Sequence, residues 1–352
     1  MRLVLPVLPV LPALFVAASA CGSVVALEGA DPRAVDAGAA PSDAATDAAG
    51  EPPFDESQCP RAAVALPATR EESYVGAAYA GGGVSVALGL SSTVQRFRFT
   101  PNGLTPDGDP APAPLRGTTV RALPSSNAFT IAEGFSDAET RTVKVYGRGF
   151  TELSTLTERN ARFEDIDREG ISSAGQIVYP FFGRGTAGVA IDGGSVVCMA
   201  CTLAGVADTS LYVFNEGFLE QRSLTGAFPG VDVDRKIPIL YENGAEVPRL
   251  VGASAKLLFF TRGRERVAVY DRETLTEVPF AWEPSEVPTG VVAQADGTLD
   301  LFSVQYGEIA FASHRDATGN VLARGEGHAA YGFANPTPCG FWVGNQHIPF
   351  AR

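Results

Sequence analysis

The sequence predicts an all-β chain folded as a β-propeller, a closed ring of four-stranded antiparallel sheets, six counted directly and seven as the alternative. Three observations predict it. The chain holds 38 Gly and 25 Pro in 352 residues, which signals many turns. Short runs that alternate with period two, the mark of strands, recur along it. A two-part phrase also returns throughout residues 59–352, as a repeated structural unit would write it. Apolar residues make up 45 % of the chain, enough to fill a core. The net charge of −13 argues against nucleic acid, whose phosphates need a basic surface.

Residues 1–20 come first and are expected to be a signal peptide. Arg2 gives a minimal positive start, and "LVLPVLPVLPALFVAA" is the apolar run. Pro6, Pro9 and Pro12 each remove a backbone donor, so this run makes a poor permanent membrane helix. No later stretch approaches the ~20 apolar residues that a span requires. Ala18-Ser19-Ala20 fits a small-x-small cleavage site. With Cys21 behind them, the same residues resemble a bacterial lipobox, although Ala18 stands where leucine is usual. Cysteine parity supports the lipid reading. If Cys21 is acylated, Cys59, Cys198, Cys201 and Cys339 remain, an even set suited to an oxidising compartment. Several acyl chains on one cysteine hold a protein at a bilayer stably. Gly22 rather than Asp follows, which by resemblance to enterobacterial sorting implies the outer membrane.

Residues 21–58 read as a tether. Ala, Asp, Pro and Gly dominate, with eight acids against one base, Arg33. Such a segment cannot bury enough apolar surface to offset its ordering entropy. A flexible chain of this length spans on the order of 35 Å. A calcium-collecting acidic tail is the functional alternative to a solvated spacer. Ala/Asp-rich tethers behind a lipobox cysteine are similar to those of surface lipoproteins of Gram-negative bacteria.

Residues 59–352 carry the repeats. "LYVFNEGF" from Leu211 places Leu211 and Val213 on one face and Tyr212 and Phe214 on the other, then turns at Asn215-Glu216-Gly217. "VKVYGRGFTEL", "VAVYDRETLTE" and "VQRFRFTPNGLT" follow the same plan, and all four are read as the two outer strands of a sheet. A second phrase, small or apolar residues around a short turn, is read as an inner hairpin. It begins at Tyr74, Thr119, Ala187, Arg249, Thr289 and Ala329, giving six units. Small residues suit positions where sheets converge and backbones approach closely. The stretches 157–185 and 225–247 are read as insertions, and "GQIVYPFFGRG" from Gly175 as a degenerate unit that would make seven. The last hairpin leaves little chain for its outer strands. "HIPFAR" supplies one and "RAAVALP" from Arg61 the other, so that the N-terminal strand seals the ring and removes an open edge.

Cys59 precedes that sealing strand and Cys339 lies in the last hairpin, so a bridge between them would pin the seam. In the chain-entropy model such a long loop is worth about 5 kcal/mol. "CMAC" holds Cys198 and Cys201. A local bridge, buried thiols and a redox pair are the three readings, and export favours the bridge. Residues three apart in a strand lie ~10 Å apart on opposite faces, so a bridge requires a turn or bulge at Met199-Ala200.

No catalytic constellation, metal-ligand spacing or cofactor motif is legible. His314, His328 and His347 lack a ligand spacing and read as structural. The low-specificity binding candidates are Trp282 and Trp342, with the pairs Asp165/Asp167 and Asp232/Asp234. Each Asp pair precedes an Arg, Arg168 or Arg235, and the two are read as equivalent positions in neighbouring units, held by salt bridges or turn caps. "TGVVAQADGTLDLFSV" resembles units of NHL-type propellers, and "LYVFNEGF" is similar to strands of quinoprotein-like propellers; both imply architecture alone. The expected function is a lipid-anchored, non-catalytic envelope module that binds a protein or glycan. The alternatives are an extracytoplasmic hydrolase or lyase with its acids at the channel mouth, and a purely structural envelope component.

Overall fold

A computed structural model describes residues 54–67, 73–113, 117–123, 128–133, 140–159, 168–183, 186–191, 195–239, 248–261, 267–283, 286–294, 296–305, 309–327 and 334–351. The leader, Cys21, most of the tether, Asp165, Asp167 and His328 lie outside these residues. Among the described residues the regular elements are strands, apart from two short 3-10 turns, Glu56–Gln58 and Arg148–Phe150.

The strands form seven antiparallel sheets, one per blade. The N-terminal β1 (Val64–Ala65) belongs to the last blade. Blade one holds β2 (Tyr74–Gly81), β3 (Val84–Gly89) and β4 (Thr93–Thr100). Its outer strand is in two pieces, β5 (Gly103–Pro106) and β6 (Ala111–Pro112), which pair with opposite ends of β4. Blade two runs from β7 (Gly117–Ala122) through β8 (Phe129–Glu133) and β9 (Thr140–Tyr146) to β10 (Glu152–Arg159). Blade three holds β11 (Gly170–Ile171), β12 (Ile177–Gly183), β13 (Thr186–Ile191) and β14 (Ser195–Met199). Blade four holds β15 (Cys201–Ala207), β16 (Ser210–Asn215), β17 (Phe218–Ser223) and β18 (Val233–Pro238).

Blade five shows β19 (Leu250–Ala253), β20 (Leu257–Thr261) and β21 (Val267–Asp271), with a single bridge from Tyr270 to Glu277 where a fourth strand would start. Blade six is β22 (Glu286–Ala293), β23 (Leu299–Gln305), β24 (Ile309–Arg315) and β25 (Val321–Gly327). Blade seven is β26 (Ala334–Thr337), β27 (Gly340–Val343) and β28 (Gln346–Pro349), completed by β1 through Val64 opposite His347.

The seven-bladed alternative is therefore the architecture, and the count of six is corrected. The hairpin read from Ala187 is the outer half of blade three, β13 and β14, while "GQIVYPFFGRG" supplies that blade's β12. Blade four was hidden because its inner strand, β15, begins two residues after Met199 and reads as a continuation of β14. "LYVFNEGF" consequently spans the second and third strands of its blade, not the outer two. The supposed insertions contribute β11, β12 and β18.

Seven apolar clusters fill the gaps between consecutive blades, and one of them closes the circle. Phe97 and Phe99 of blade one pack with Trp342 and Cys339 of blade seven. Each central strand feeds two clusters. Leu211 and Val213 face blade three, whereas Tyr212 and Phe214 face blade five. Period two therefore persists, with apolar side chains on both faces because both faces are buried.

The inner strands meet through glycine. A Cβ on Gly252 of β19 would stand 2.4 Å from Val291 Cβ on β22, and one on Gly290 of β22 would stand 2.8 Å from Ala334 Cβ on β26. Only a hydrogen side chain permits approaches this close. The expected seam is present as well. Cys59–Cys339 joins residues 280 apart in sequence, with Cα atoms 5.2 Å apart.

Candidate functional site at the junction of blades three and four

Ala200 alone separates β14 from β15. Its φ is 57°, in the left-handed region, which costs a non-glycine residue roughly 1–2 kcal/mol. This is the turn that "CMAC" requires. It brings Cys198 and Cys201 to a Cα separation of 6.1 Å, and the two form a disulfide. Cys201 is buried with Leu203, Val206 and Val213 against Val178, Val189 and Ile191 of blade three. Cys198 is half-buried, and Met199 and Ala200 between them are exposed.

The loop that leads into β18 lies against β14 and is held there by one guanidinium. Arg222 of β17 donates from Nη1 to the carbonyls of Val197, Gly230 and Val231 at 3.0 to 3.3 Å. Its Nη2 donates to Glu220 Oε2 at 2.6 Å, and Lys236 Nζ stands 3.1 Å from Glu220 Oε1. Burial pushes the Glu220 carboxyl up. The hydrogen bonds and charges of Arg222 and Lys236 outweigh it and hold the group below the ordinary carboxylate range. Glu220 and Arg222 are two apart on one strand and so share a face.

The two segments that Arg222 joins carry five of the exposed large apolar side chains. Val196 and Met199 come from blade three, and Phe228, Val231 and Val233 from blade four; Phe228 is 73 % exposed.

Of the predicted binding residues, Asp232 and Asp234 lie in this region. Both are exposed, at the start of the outermost strand of blade four and away from the inner strands. Arg168 precedes the inner strand of blade three, whereas Arg235 lies on the outer strand of blade four, so the two Asp-Arg motifs are not equivalent positions. Arg168 donates to the carbonyls of Leu203 and Pro248. Trp342 is fully buried and donates from Nε1 to Ser85 Oγ at 2.8 Å, so it is a core residue that cannot stack on an external ligand. Trp282 is half-buried against Phe280, with the Arg315 guanidinium 5.9 Å from its ring.

Three further polar side chains have partners within the fold. Arg315 pairs with Glu286 at 2.6 Å and also donates to Ser313 Oγ and to the carbonyls of Ala281 and Gly319. His314 Nδ1 lies 3.0 Å from Asp300 Oδ1. His347 meets Thr337 Oγ1 inside blade seven. Among the described residues no group of three His, Cys, Asp or Glu could hold a metal. The Arg222 anchor and Phe228 went unread in the sequence. The only trace of the anchor was the Glu-x-Arg alternation in "FLEQRS", which reads equally well as a solvated strand face.

The chain matches no family model and no curated protein. Among solved structures it is similar to a chain of the mitotic checkpoint complex, with 9 % identity and a TM-score of 0.53 over 86 % of this chain and 97 % of that one. It is also similar to a computationally designed protein, with 12 % identity and a TM-score of 0.45 over 82 % of this chain and 98 % of that one. The first likeness supports the fold alone.

Proposed function

We propose that the protein is a non-catalytic binding module, anchored by lipid at Cys21 to the outer membrane of a bacterial envelope, and that it engages a protein partner. One observation carries the binding reading: Val196, Met199, Phe228, Val231 and Val233 are all exposed on two segments that Arg222 fastens together beside a disulfide. A protein suits it better than a glycan. Sugar sites stack rings on aromatic faces, and four of these five side chains, Val196, Met199, Val231 and Val233, are not aromatic. The hydrolase alternative loses support, since Asp234 lies on an outer strand rather than at the channel. The lipobox-like "ASAC", the acidic tether and the even set of disulfide cysteines support export and anchoring.

The test places a photo-crosslinking amino acid in the full-length protein in its native envelope, at Phe228 or Met199, with Leu90 on blade one as the exposed control. Discrete protein adducts are expected from the first two positions and not from the third. Adducts at Leu90 alone, or at none, would reject the binding face. Fractionation of Cys21→Ala tests the anchor independently; the variant is expected to leave the membrane fraction.

A further inference from the structure

The two disulfides restrain very different things. Cys59–Cys339 spans 280 residues at the ring seam, with Cys339 buried. Cys198–Cys201 spans three, so it removes far less freedom from the unfolded chain than the seam does. Its effect is local. It holds Ala200 left-handed between two blades, beside the exposed Met199.

We propose that Cys198–Cys201 is a thiol–disulfide exchange site, opened and re-formed by an external dithiol protein, and that its state sets the conformation of the apolar patch. Three features converge on this. The two cysteines differ in exposure: Cys198 is half-buried, whereas Cys201 is 2 % exposed, so Cys198 is the one an external thiol meets first. Access and the identity of the attacked sulfur govern exchange. The closed bridge holds the backbone in a conformation that a non-glycine residue leaves when released, because residues three apart in a strand relax toward ~10 Å rather than 6.1 Å. The relaxing segment also carries part of the patch. Met199 lies inside the bridged loop, and the Phe228 loop is fastened to β14 at the Val197 carbonyl, one residue from Cys198.

The step balances. A thiolate of the dithiol attacks Cys198 Sγ, the bond to Cys201 Sγ breaks, and Cys201 leaves as a thiolate that takes a proton from water. The second thiolate of the dithiol attacks the mixed disulfide and releases Cys198 as a thiolate, which is protonated in turn. The dithiol departs as its own disulfide, having passed two electrons to the protein. An oxidised partner of the same class reverses the sequence.

The test uses the whole chain and dithiothreitol as the dithiol. Increasing concentrations are followed by alkylation and peptide mass spectrometry, with hydrogen exchange on the same samples. Cys198 and Cys201 are expected to be alkylated while Cys59–Cys339 stays closed. Amides of 197–201 and 228–233 are expected to exchange about tenfold faster, with the other blades unchanged. Cys198→Ser/Cys201→Ser is expected to fold and to show the exchange pattern of the reduced protein. Opening of this bridge only together with the seam, opening without a change at 228–233, or failure of the double variant to fold would each overturn the proposal.

Discussion

Asn335 lies on the inner strand of blade seven and uses its whole amide on two other blades. Nδ2 donates to the carbonyls of Ala77 at 2.8 Å and Val120 at 3.0 Å, and Oδ1 accepts from the Ala122 amide at 2.7 Å. Removing the side chain leaves three backbone groups without this partner. Asn335→Ala is therefore expected to lower stability by about 3 kcal/mol, read from the denaturant midpoint. His347 makes a different prediction. Burial pushes its imidazole down to about 3, so the folded protein keeps it neutral. The unfolded chain takes up a proton near the ordinary value of 6.5, and stability contributed by this group falls as pH drops from about 6.5 toward about 3. Urea midpoints at pH 7.5 and 4.5 are expected to differ by less in His347→Gln than in the native chain. The sequence marked His347 correctly as structural but gave no warning of Asn335, because a lone Asn in "FANPTP" reads as turn chemistry. Trp342 stayed an open candidate for a similar reason: a tryptophan's fate depends on what lies opposite, here Ser85 on a strand 257 residues away.

At the scale of the element, the inner strands β2, β7, β19, β22 and β26 were legible because small residues mark them, and such residues set the spacing between inner strands. Gly252→Ala would put a Cβ 2.4 Å from Val291 Cβ and 2.9 Å from its carbonyl oxygen, so β19 and β22 must part. A loss of about 1–3 kcal/mol is expected in thermal or denaturant melting. A smaller effect is expected from alanine at Gly76 of β2, where an added Cβ would make only ordinary contacts, 3.7 Å from the Gly344 carbonyl oxygen. Blade boundaries were less legible. A propeller normally signals the passage to the next blade with a loop, and at Met199-Ala200-Cys201 that loop is one residue. Pattern reading therefore fused β14 and β15 and lost a blade. The candidate site arises at that same compressed junction. Its parts were visible singly, as Cys198, Cys201, Asp232 and Asp234, but what brings them together is Arg222 donating to carbonyls on two blades. Backbone acceptors leave no trace in a sequence.

For the molecule as a whole, the ring is held by equivalent interfaces, each an apolar cluster shared by neighbouring sheets, with no single central core. The clusters that join blades six and seven and blades seven and one are built as the rest are, so the circle closes on packing as well as on β1. Closure was foreseeable because the last unit lacked an outer strand and the N-terminal segment offered one. Blade number was not, since it depends on inter-blade connections that carry little pattern. Export and lipid anchoring are proposals read from residues 1–58, and the binding face is a proposal read from blades three and four. The second rests on a ring whose first and last strands, β1 and β28, pair in one sheet.

Peptide mapping of the alkylated, unreduced protein tests that ring most directly. The account predicts one linked pair of peptides joining Cys59 to Cys339, a single peptide with Cys198 bonded to Cys201, and no alkylated thiol among these four. Cys59 linked to Cys198 or Cys201, or Cys59 and Cys339 both alkylated, would contradict it, because the N-terminal strand would then not close the seventh blade.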